Sequence, residues 1–195
     1  MLILADRLIG SPLCRDDWND LLILHRAPDA MATLGGVHSE EKAEQWFRDN
    51  LSHWERYGFG IWIFRDCVDM RFAGRGGLRH VRIENEDEIE LAYALLPAFW
   101  GRGLATEMAH TLISCAGTRF GLTDLVGFTL TTNLPSRRVL EKVGFRYEHD
   151  FLRPAGLHAL YRMDLSRQGE IGGISGREGA SPPPWCAPQS VARFA

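Results

Sequence analysis

The chain has 195 residues, of which 45% are hydrophobic and 24% charged, and its formal net charge at pH 7 is -3. This composition is typical of a globular domain and excludes collagen, coiled coils and wholly disordered chains. The small negative charge argues against nucleic-acid binding, because proteins with that function usually carry a basic surplus. No apolar run approaches the ~18 residues of a membrane span, and the N-terminus lacks the residue order of a signal peptide. We therefore expect a cytoplasmic protein without nucleic-acid or membrane partners.

The composition changes near Ser166 and divides the chain into two parts. Residues 166–195 are rich in glycine, serine and proline, and their few apolar residues follow no pattern. Such a segment buries too little apolar surface to offset the entropy lost on ordering. We predict one folded domain over residues 1–165 and a disordered tail over residues 166–195. The cysteines and histidines show no metal-ligand spacing, so no metal is expected.

Strand-like and helix-like segments alternate through the first half of the domain. The predicted elements are a strand over residues 1–8, a helix from Trp18 to before Pro28, a helix from Ser39 to Gly58, and a hairpin of residues 60–64 with 70–74. Each helix follows from apolar residues that recur every three or four positions. The hairpin follows from two apolar runs separated by polar residues.

The second half of the domain continues the alternation. The predicted elements are a strand over 88–95, a helix over 104–120, a strand over 125–132, a short helix over 135–143, and a strand pair of 145–151 with 159–165. Two strands joined by a helix crossover are usually parallel. We therefore expect strands 88–95 and 125–132 to be parallel neighbours in a mixed sheet.

The turn after the strand at 88–95 has the composition of an anion site. Gly101 and Gly103 allow positive φ angles and close approach of the backbone to a ligand. The free N–H groups and the dipole of the following helix attract an anion, and Arg102 adds a positive charge. The spacing fits neither a Walker loop, which needs a lysine after its last glycine, nor a Rossmann fingerprint, whose third glycine position holds Thr106.

Three segments of the chain together form a recognisable pattern. In residues 90–107 a predicted strand is followed by the motif Pro-x-x-Trp-Gly-x-Gly-x-Ala-Thr-Glu. Residues 132–145 contain Asn-x-x-Ser and Lys-x-Gly-Phe. In this order they resemble motifs A and B of the GNAT acyltransferase superfamily, specifically the branch of the ribosomal-protein alanine N-acetyltransferases. Residues 6–13 are similar to the opening strand of that family, although Gly10 and Ser11 depart from its usual Leu-Arg.

The resemblance covers residues 1–165 and implies a fold and a co-substrate. The expected fold is a single GNAT acyltransferase domain of the mixed α/β (α+β) class. Its sheet should be twisted, mixed and mostly antiparallel, with splayed central strands and helices on both faces. The expected co-substrate is acetyl-CoA.

The resemblance also implies the residues that bind acetyl-CoA. In this family the loop amides and the helix N-terminus hold the pyrophosphate, and the end of the preceding strand pairs with the pantetheine arm. The corresponding residues are Leu95, Leu96, Trp100, Gly101, Arg102, Gly103, Leu104, Ala105, Thr106, Asn133 and Ser136. Trp100 departs from the Gln or Arg of many members and removes a donor there, so the backbone and Arg102 must supply more.

Amine attack on a thioester needs a proton acceptor and a proton donor for the leaving thiolate. Glu90 lies beside the expected thioester, and burial next to Ala92 would raise its pKa, so we predict it as the base. The alternative is a solvated carboxylate at the end of the acidic run 84–90. The resemblance implies that Ser136 is the acid and that Asn133 contacts CoA, while helix capping is the alternative role of both residues.

The aromatic residues near the second helix and the hairpin are candidates for the acceptor cleft. In this family that region edges the cleft, which makes Trp54, Phe59 and Trp62 the predicted substrate-binding residues. The alternative is a packing role, because an apolar stripe at helical spacing more often belongs to the core.

We therefore predict an acetyl-CoA-dependent N-acetyltransferase that acts on a primary amine by direct transfer. The acceptor is either a protein N-terminal α-amine or a small-molecule amine. An antibiotic or a polyamine is an alternative acceptor, since the acidic run 84–90 would suit a polycation. A non-catalytic acyl-CoA-binding sensor is the alternative from another class. The sequence leaves the acceptor and the oligomeric state open, with a homodimer as one option.

Overall fold

The computed structural model of the protein describes residues 2–166. The predicted tail therefore lies outside the described residues, apart from Ser166. Within the described range, no helix has the length and apolar character needed to cross a membrane.

The described strands form one open sheet. They are β1 (Ile3–Leu4), β2 (Leu8–Pro12), β3 (Ile61–Asp66), β4 (Phe72–Ile83), β5 (Glu86–Leu95), β6 (Asp124–Leu130), β7 (Arg146–Arg153) and β8 (Gly156–Asp164). Their spatial order is β1-β2-β3-β4-β5-β6-β8-β7. All neighbours are antiparallel except β5 and β6, which are parallel as predicted.

The helices of the described chain connect and cover this sheet. They are α1 (Trp18–Arg26), α2 (Pro28–Met31), α3 (Glu40–Tyr57), α4 (Leu104–Phe120) and α5 (Leu134–Lys142). Ser39 caps α3 by accepting a hydrogen bond from the Lys42 N–H, and Gly58 ends it with φ 72°. The start and end of α4 agree with the prediction.

Helices pack against both faces of the sheet, as expected. α4 approaches one face closely at Gly76 of β4, where an added Cβ would lie 2.5 Å from Met108 Sδ. On the other face, Leu21 of α1 and Phe47 of α3 pack in one apolar cluster with Ile63 of β3. The predicted mixed, mostly antiparallel α/β fold is therefore confirmed.

The central strands β5 and β6 separate along their length. β4 and β5 align from Gly74–Leu95 to Ile83–Glu86, whereas β5 and β6 align only at Glu90 and Val126. The last part of β5, residues 91–95, therefore has no strand partner on the β6 side. This gap opens next to the glycine-containing turn that leads into α4.

The N-terminal strand and β4 differ from their predictions. The single strand expected over residues 1–8 is two short strands, because polar Asp6 and Arg7 form a turn between them. β4 runs beyond the predicted residue 74 to Ile83. Its glycines lower strand propensity but permit close strand packing, since an added Cβ at Gly77 would lie 2.1 Å from Gly60 O.

Candidate active site

The turn between β5 and α4 presents the free N-terminus of a long helix. Gly101 and Gly103 have φ angles of 72° and 76°, in the left-handed region that favours glycine. Gly103 is the N-cap of α4, and no side chain caps this end of the helix. The first N–H groups of an α-helix have no partner within the helix and carry partial positive charge. This turn is therefore suited to bind an anion such as a diphosphate.

Two arginines hold the turn in place. Arg102, the predicted cation, lies with Nη2 3.5 Å from Asp66 Oδ2. Arg7 donates from Nη1 to Arg102 O at 2.8 Å, and its Nη2 lies 2.7 Å from Glu107 Oε2. Because each guanidinium already has a carboxylate partner, the backbone amides supply most of the attraction for an anion. Sequence reasoning missed Arg7, which lies 95 residues before Arg102.

A cavity of about 540 Å³ lies beside the first two turns of α4. Its lining includes Gly103 and Thr106 of the turn region, together with the basic side chains Arg7, His110 and Lys142. A second cavity of about 420 Å³, with Glu88 and Arg162 in its lining, lies near the start of β5, away from the turn.

The end of β5 offers backbone groups to the gap. The Leu96 N–H donates to Ala73 O of the antiparallel neighbour at 2.9 Å. Because backbone groups alternate in direction along a strand, the N–H and C=O of Tyr93 and the N–H of Leu95 point toward the β6 side. The Leu95 C=O accepts a hydrogen bond from Trp100 Nε1 at 2.8 Å. The backbone groups that face the gap are thus those of Tyr93 and Leu95, whereas the Leu96 N–H faces β4.

Glu90 is a buried carboxylate on the face of β5 that it shares with Ala92. It is 5% exposed and accepts a hydrogen bond from Arg79 Nε at 2.6 Å. Arg79 lies on β4, directly opposite Glu90 of β5 in the register of the two strands. Glu90 is therefore not solvated, and a cation holds it in place. Glu88, two residues earlier, is instead bound by Arg162 through both carboxylate oxygens.

Ser136 and Tyr93 form a hydroxyl pair that connects α5 to β5. Ser136 Oγ lies 3.0 Å from Tyr93 Oη, and the Tyr93 O–H also lies 3.1 Å from Ser136 O. Burial raises the pKa of Tyr93, so it stays protonated at neutral pH. Asn133 Oδ1 accepts the Ser136 N–H at 3.3 Å and caps α5. Sequence reasoning missed Tyr93, because alternation placed it only among apolar residues.

Two of the three predicted substrate aromatics, Phe59 and Trp62, lie in the core, and Trp54 is half-buried against it. Trp62 is fully buried and Phe59 is 7% exposed, and both pack against Phe120 at the end of α4. Trp54 packs on Trp62 with ring centres 4.6 Å apart and donates to Ile61 O. We therefore leave these three residues out of the acceptor site proposed below.

A different polar cluster lies against the sheet face that carries Glu90. The His25 ring is 1% exposed and lies 4.8 Å, centre to centre, from the rings of both His38 and Trp46. Neither His25 nitrogen has a hydrogen-bond partner among the described residues. Burial, and then the positive charge of Arg75, lower the pKa of His25 to about 3. His25 is therefore neutral at pH 7.

The neutral state of His25 makes the stability of the fold depend on pH. The unfolded chain binds a proton at His25 below pH ~6.5, whereas the folded chain does not until near pH 3. The free energy of unfolding should thus fall by about 3 kcal/mol between pH ~6.5 and ~4.5 through this group alone. We expect His25→Phe to remove this part of the slope, measured by urea denaturation across that range. An unchanged slope in the variant would contradict the assignment.

The structure thus places an open gap between the parallel strands β5 and β6 next to an uncapped helix N-terminus. The chain belongs to the GNAT acetyltransferase family, because the family model described as "Acetyltransferase (GNAT) domain" matches residues 7–146. It is therefore an acyltransferase of the GNAT type, a family that uses acetyl-CoA. Within residues 2–166, no group of three or more His, Cys, Asp or Glu side chains is placed to hold a metal ion.

Similar proteins agree with this membership. An FsC-acetyl coenzyme A-N(2)-transacetylase from Aspergillus fumigatus is 32% identical over 100 residues, which are 48% of this chain and 42% of that protein. The match thus spans under half of that relative. A putative GNAT-family acetyltransferase from Bordetella pertussis is 25% identical, with a TM-score of 0.75, and the match covers 83% of this chain and 98% of that one.

The ribosomal-protein branch is represented among the solved structures. A ribosomal-protein-S5-alanine acetyltransferase from Vibrio fischeri has a TM-score of 0.70 at 14% identity, covering 84% of this chain and 96% of that one. At this identity the likeness is one of fold. The predicted membership of the GNAT superfamily is confirmed, and the acceptor is a separate question.

Proposed function

We propose that the protein transfers the acetyl group of acetyl-CoA directly to a primary amine, without a covalent enzyme intermediate. The observation that carries this proposal is the uncapped N-terminus of α4, which follows two left-handed glycines at the open end of the gap between β5 and β6. The amides of residues 103–106 bind the diphosphate, and the free backbone groups of Tyr93 and Leu95 pair with the pantetheine amides.

Glu90 acts as the base in this proposal. The amine nitrogen attacks the thioester carbon, and Glu90 accepts the proton that the nitrogen loses, directly or through water. Its burial supports this role, and the hydrogen bond from Arg79 positions the carboxylate on the face next to the gap. An α-amine with a pKa of ~8 is partly neutral at pH 7, whereas a lysine with a pKa of ~10.4 is almost wholly protonated, so a weaker base suffices for the α-amine.

Ser136 acts as the proton donor to the departing thiolate. When the carbon–sulfur bond breaks, its electron pair goes to the sulfur, which takes the Ser136 hydroxyl proton. The Tyr93 hydroxyl replaces that proton and at once regains its own from water, while Glu90 releases the amine proton to water, so that both groups return to their starting states. The distance of 3.0 Å between the two hydroxyl oxygens supports this relay. Capping by Asn133 is compatible with it, because the cap uses the backbone N–H of Ser136 and leaves its hydroxyl free.

The charges near the gap bear on the class of acceptor. Along the acidic run, Glu84 pairs with His149, Asp87 with Arg82, Glu88 with Arg162 and Glu90 with Arg79. The three arginine pairs neutralise Asp87, Glu88 and Glu90, so the attraction of the run for a polycationic antibiotic or polyamine is weaker than its sequence indicates. A protein N-terminal amine or a small amine of lower charge fits better.

The proposal is tested with the full chain, acetyl-CoA and a panel of amines. Release of the CoA thiol is followed by a thiol reagent, and acetylated products are identified by mass spectrometry. We expect calorimetric binding of acetyl-CoA and thiol release that depends on a primary amine. Binding without transfer to peptides with free N-termini, amino acids, aminoglycosides or polyamines would overturn the proposed reaction.

A further inference from the structure

Arg75, in β4, is a buried arginine without a hydrogen-bond partner in the described chain. It is 7% exposed, and its guanidinium carbon lies 4.3 Å from the centre of the Trp46 ring. No residue in the range 2–166 accepts a hydrogen bond from its guanidinium, and the Nε atom is shielded from solvent. A buried charge with unmade hydrogen bonds is costly to a fold. An anionic group bound to the guanidinium of Arg75 would therefore stabilise it.

The groups that face Arg75 do not neutralise it. Among the described residues, Glu90 is the carboxylate whose negative charge stabilises the charged form of Arg75. Arg79 already binds this carboxylate through a hydrogen bond. One negative charge thus stands against two guanidinium groups. Burial, and then nearby positive charges that include Arg75 and Lys42, lower the pKa values of His25 and His38, so neither histidine offers a negative charge. The guanidinium of Arg75 therefore has no carboxylate of its own among the described residues.

The position of Arg75 relates it to the proposed base. The register of β4 and β5 places Arg75 opposite Ala94 and Arg79 opposite Glu90, four residues apart along each strand. Strand residues rise by ~3.3 Å each, so these two positions are about 13 Å apart at the backbone. The β5 residue between Glu90 and Ala94 on this face is the small Ala92.

From these observations we propose that Arg75 is a specificity residue that binds a carboxylate of the acceptor. The acceptor is then an amino-carboxylate, whose amine lies at Glu90 and whose carboxylate lies at the guanidinium. A planar guanidinium offers paired N–H donors that match a carboxylate. The Trp46 ring contacts the guanidinium without accepting a conventional hydrogen bond, so its N–H groups remain to be paired by a ligand. This inference rests on the proposed function, because it specifies the acceptor of the same site.

The test compares matched acceptors that differ only in the carboxylate. Amino acids and their carboxamides are assayed with the full-length wild-type enzyme and with Arg75→Met, which keeps the apolar stem over Trp46. We expect wild-type kcat/KM to favour the carboxylate by ~30-fold or more, the usual effect of a buried charge pair. Arg75→Met should lose this preference mainly through a higher KM. Arg82→Met is the matched control, since Arg82 lies exposed on the same strand and should keep the preference.

Two further readouts separate a binding role of Arg75 from a structural one. Because the Arg75 side chain makes no hydrogen bond in the described chain, Arg75→Met without ligand should melt no lower than wild type. An Arg75 with only a structural role would instead give a lower Tm and an unchanged acceptor preference, which would overturn the proposal. Calorimetric titration of the amino acids into the CoA complex measures binding without the need for turnover.

The outcomes distinguish this inference from the proposed function. Acetylation of carboxamides or spermidine as efficiently as amino-carboxylates, with no effect of Arg75→Met, overturns the role of Arg75 and leaves the proposed function standing. Arg75-dependent binding of amino-carboxylates without acetylation of any amine supports the role of Arg75 and overturns the proposed function. Absence of amino-carboxylate binding to the CoA complex overturns the role of Arg75.

Discussion

Replacing Gly103 with valine should weaken the binding of CoA on the order of 100-fold, which corresponds to about 2.7 kcal/mol. Gly103 has φ 76°, a conformation that a β-branched residue adopts only with strain. To relieve that strain the turn must change, and the N–H groups at the start of α4 then move away from the positions in which they bind a diphosphate. Isothermal titration calorimetry with CoA measures the change.

The other end of the same helix supplies the control for this experiment. Gly121 ends α4 with φ 64°, and an added Cβ there has no heavy atom within 4 Å. Gly121→Val should therefore lower the melting temperature by a similar amount while leaving CoA affinity unchanged. Equal losses of affinity in the two variants would mean that general destabilisation, not the turn, explains the result. If Gly103→Val bound CoA with full affinity, the turn before α4 would not be part of the CoA-binding site.

Replacing Glu90 with glutamine should lower kcat by ~100-fold or more, within the range attributed to a general base. Glutamine has nearly the same shape, but its amide cannot accept the proton of the attacking amine. CoA affinity should stay the same, because Glu90 lies on the acceptor side of β5 and away from the turn. The variant also leaves Arg79 without its carboxylate, so we expect the free energy of unfolding to fall by about 3 kcal/mol. Stopped-flow or steady-state thiol release, together with calorimetry, measures both effects.

Glu88 supplies the matched control for Glu90. It lies two residues earlier on the same face, and Arg162 binds it in a comparable ion pair. Glu88→Gln should therefore lose stability with little change in kcat. The opposite result, with activity lost in Glu88→Gln and kept in Glu90→Gln, would move the base to Glu88. If the two variants lose activity equally, neither carboxylate is distinguished as the base.

Much of the path of the chain could be predicted from short-range features. The exact limits of α4 follow from Gly103 and Gly121, because both glycines adopt a left-handed conformation that ends the regular helix. The cap at Ser39 likewise predicted the start of α3. The strand over residues 1–8 was predicted wrongly, since apolar composition alone does not reveal that a turn at Asp6 and Arg7 divides it.

The partners of the site residues could not be predicted in this way. Glu90 could be placed beside Ala92 by alternation, but its ion pair with Arg79 depends on the register between two strands. The hydroxyl pair of Tyr93 and Ser136 joins residues 43 positions apart, and the contact of Arg7 with Arg102 joins residues 95 positions apart. No local pattern carries information about such pairs.

The amino-acid sequence by itself determined the order of the later elements and predicted the glycine turn as an anion site, because glycine conformations, helix caps and apolar periodicity act within a few residues. The superfamily came from the resemblance of two motifs, residues 90–107 and 132–145, to those of GNAT acyltransferases. Only the tertiary structure decided which groups meet at the gap. It placed Phe59 and Trp62 in the core and left the Arg75 guanidinium buried without a hydrogen-bond partner in the described chain. The physical reason is that burial and charge pairing depend on strand register and helix packing, which bring distant residues together.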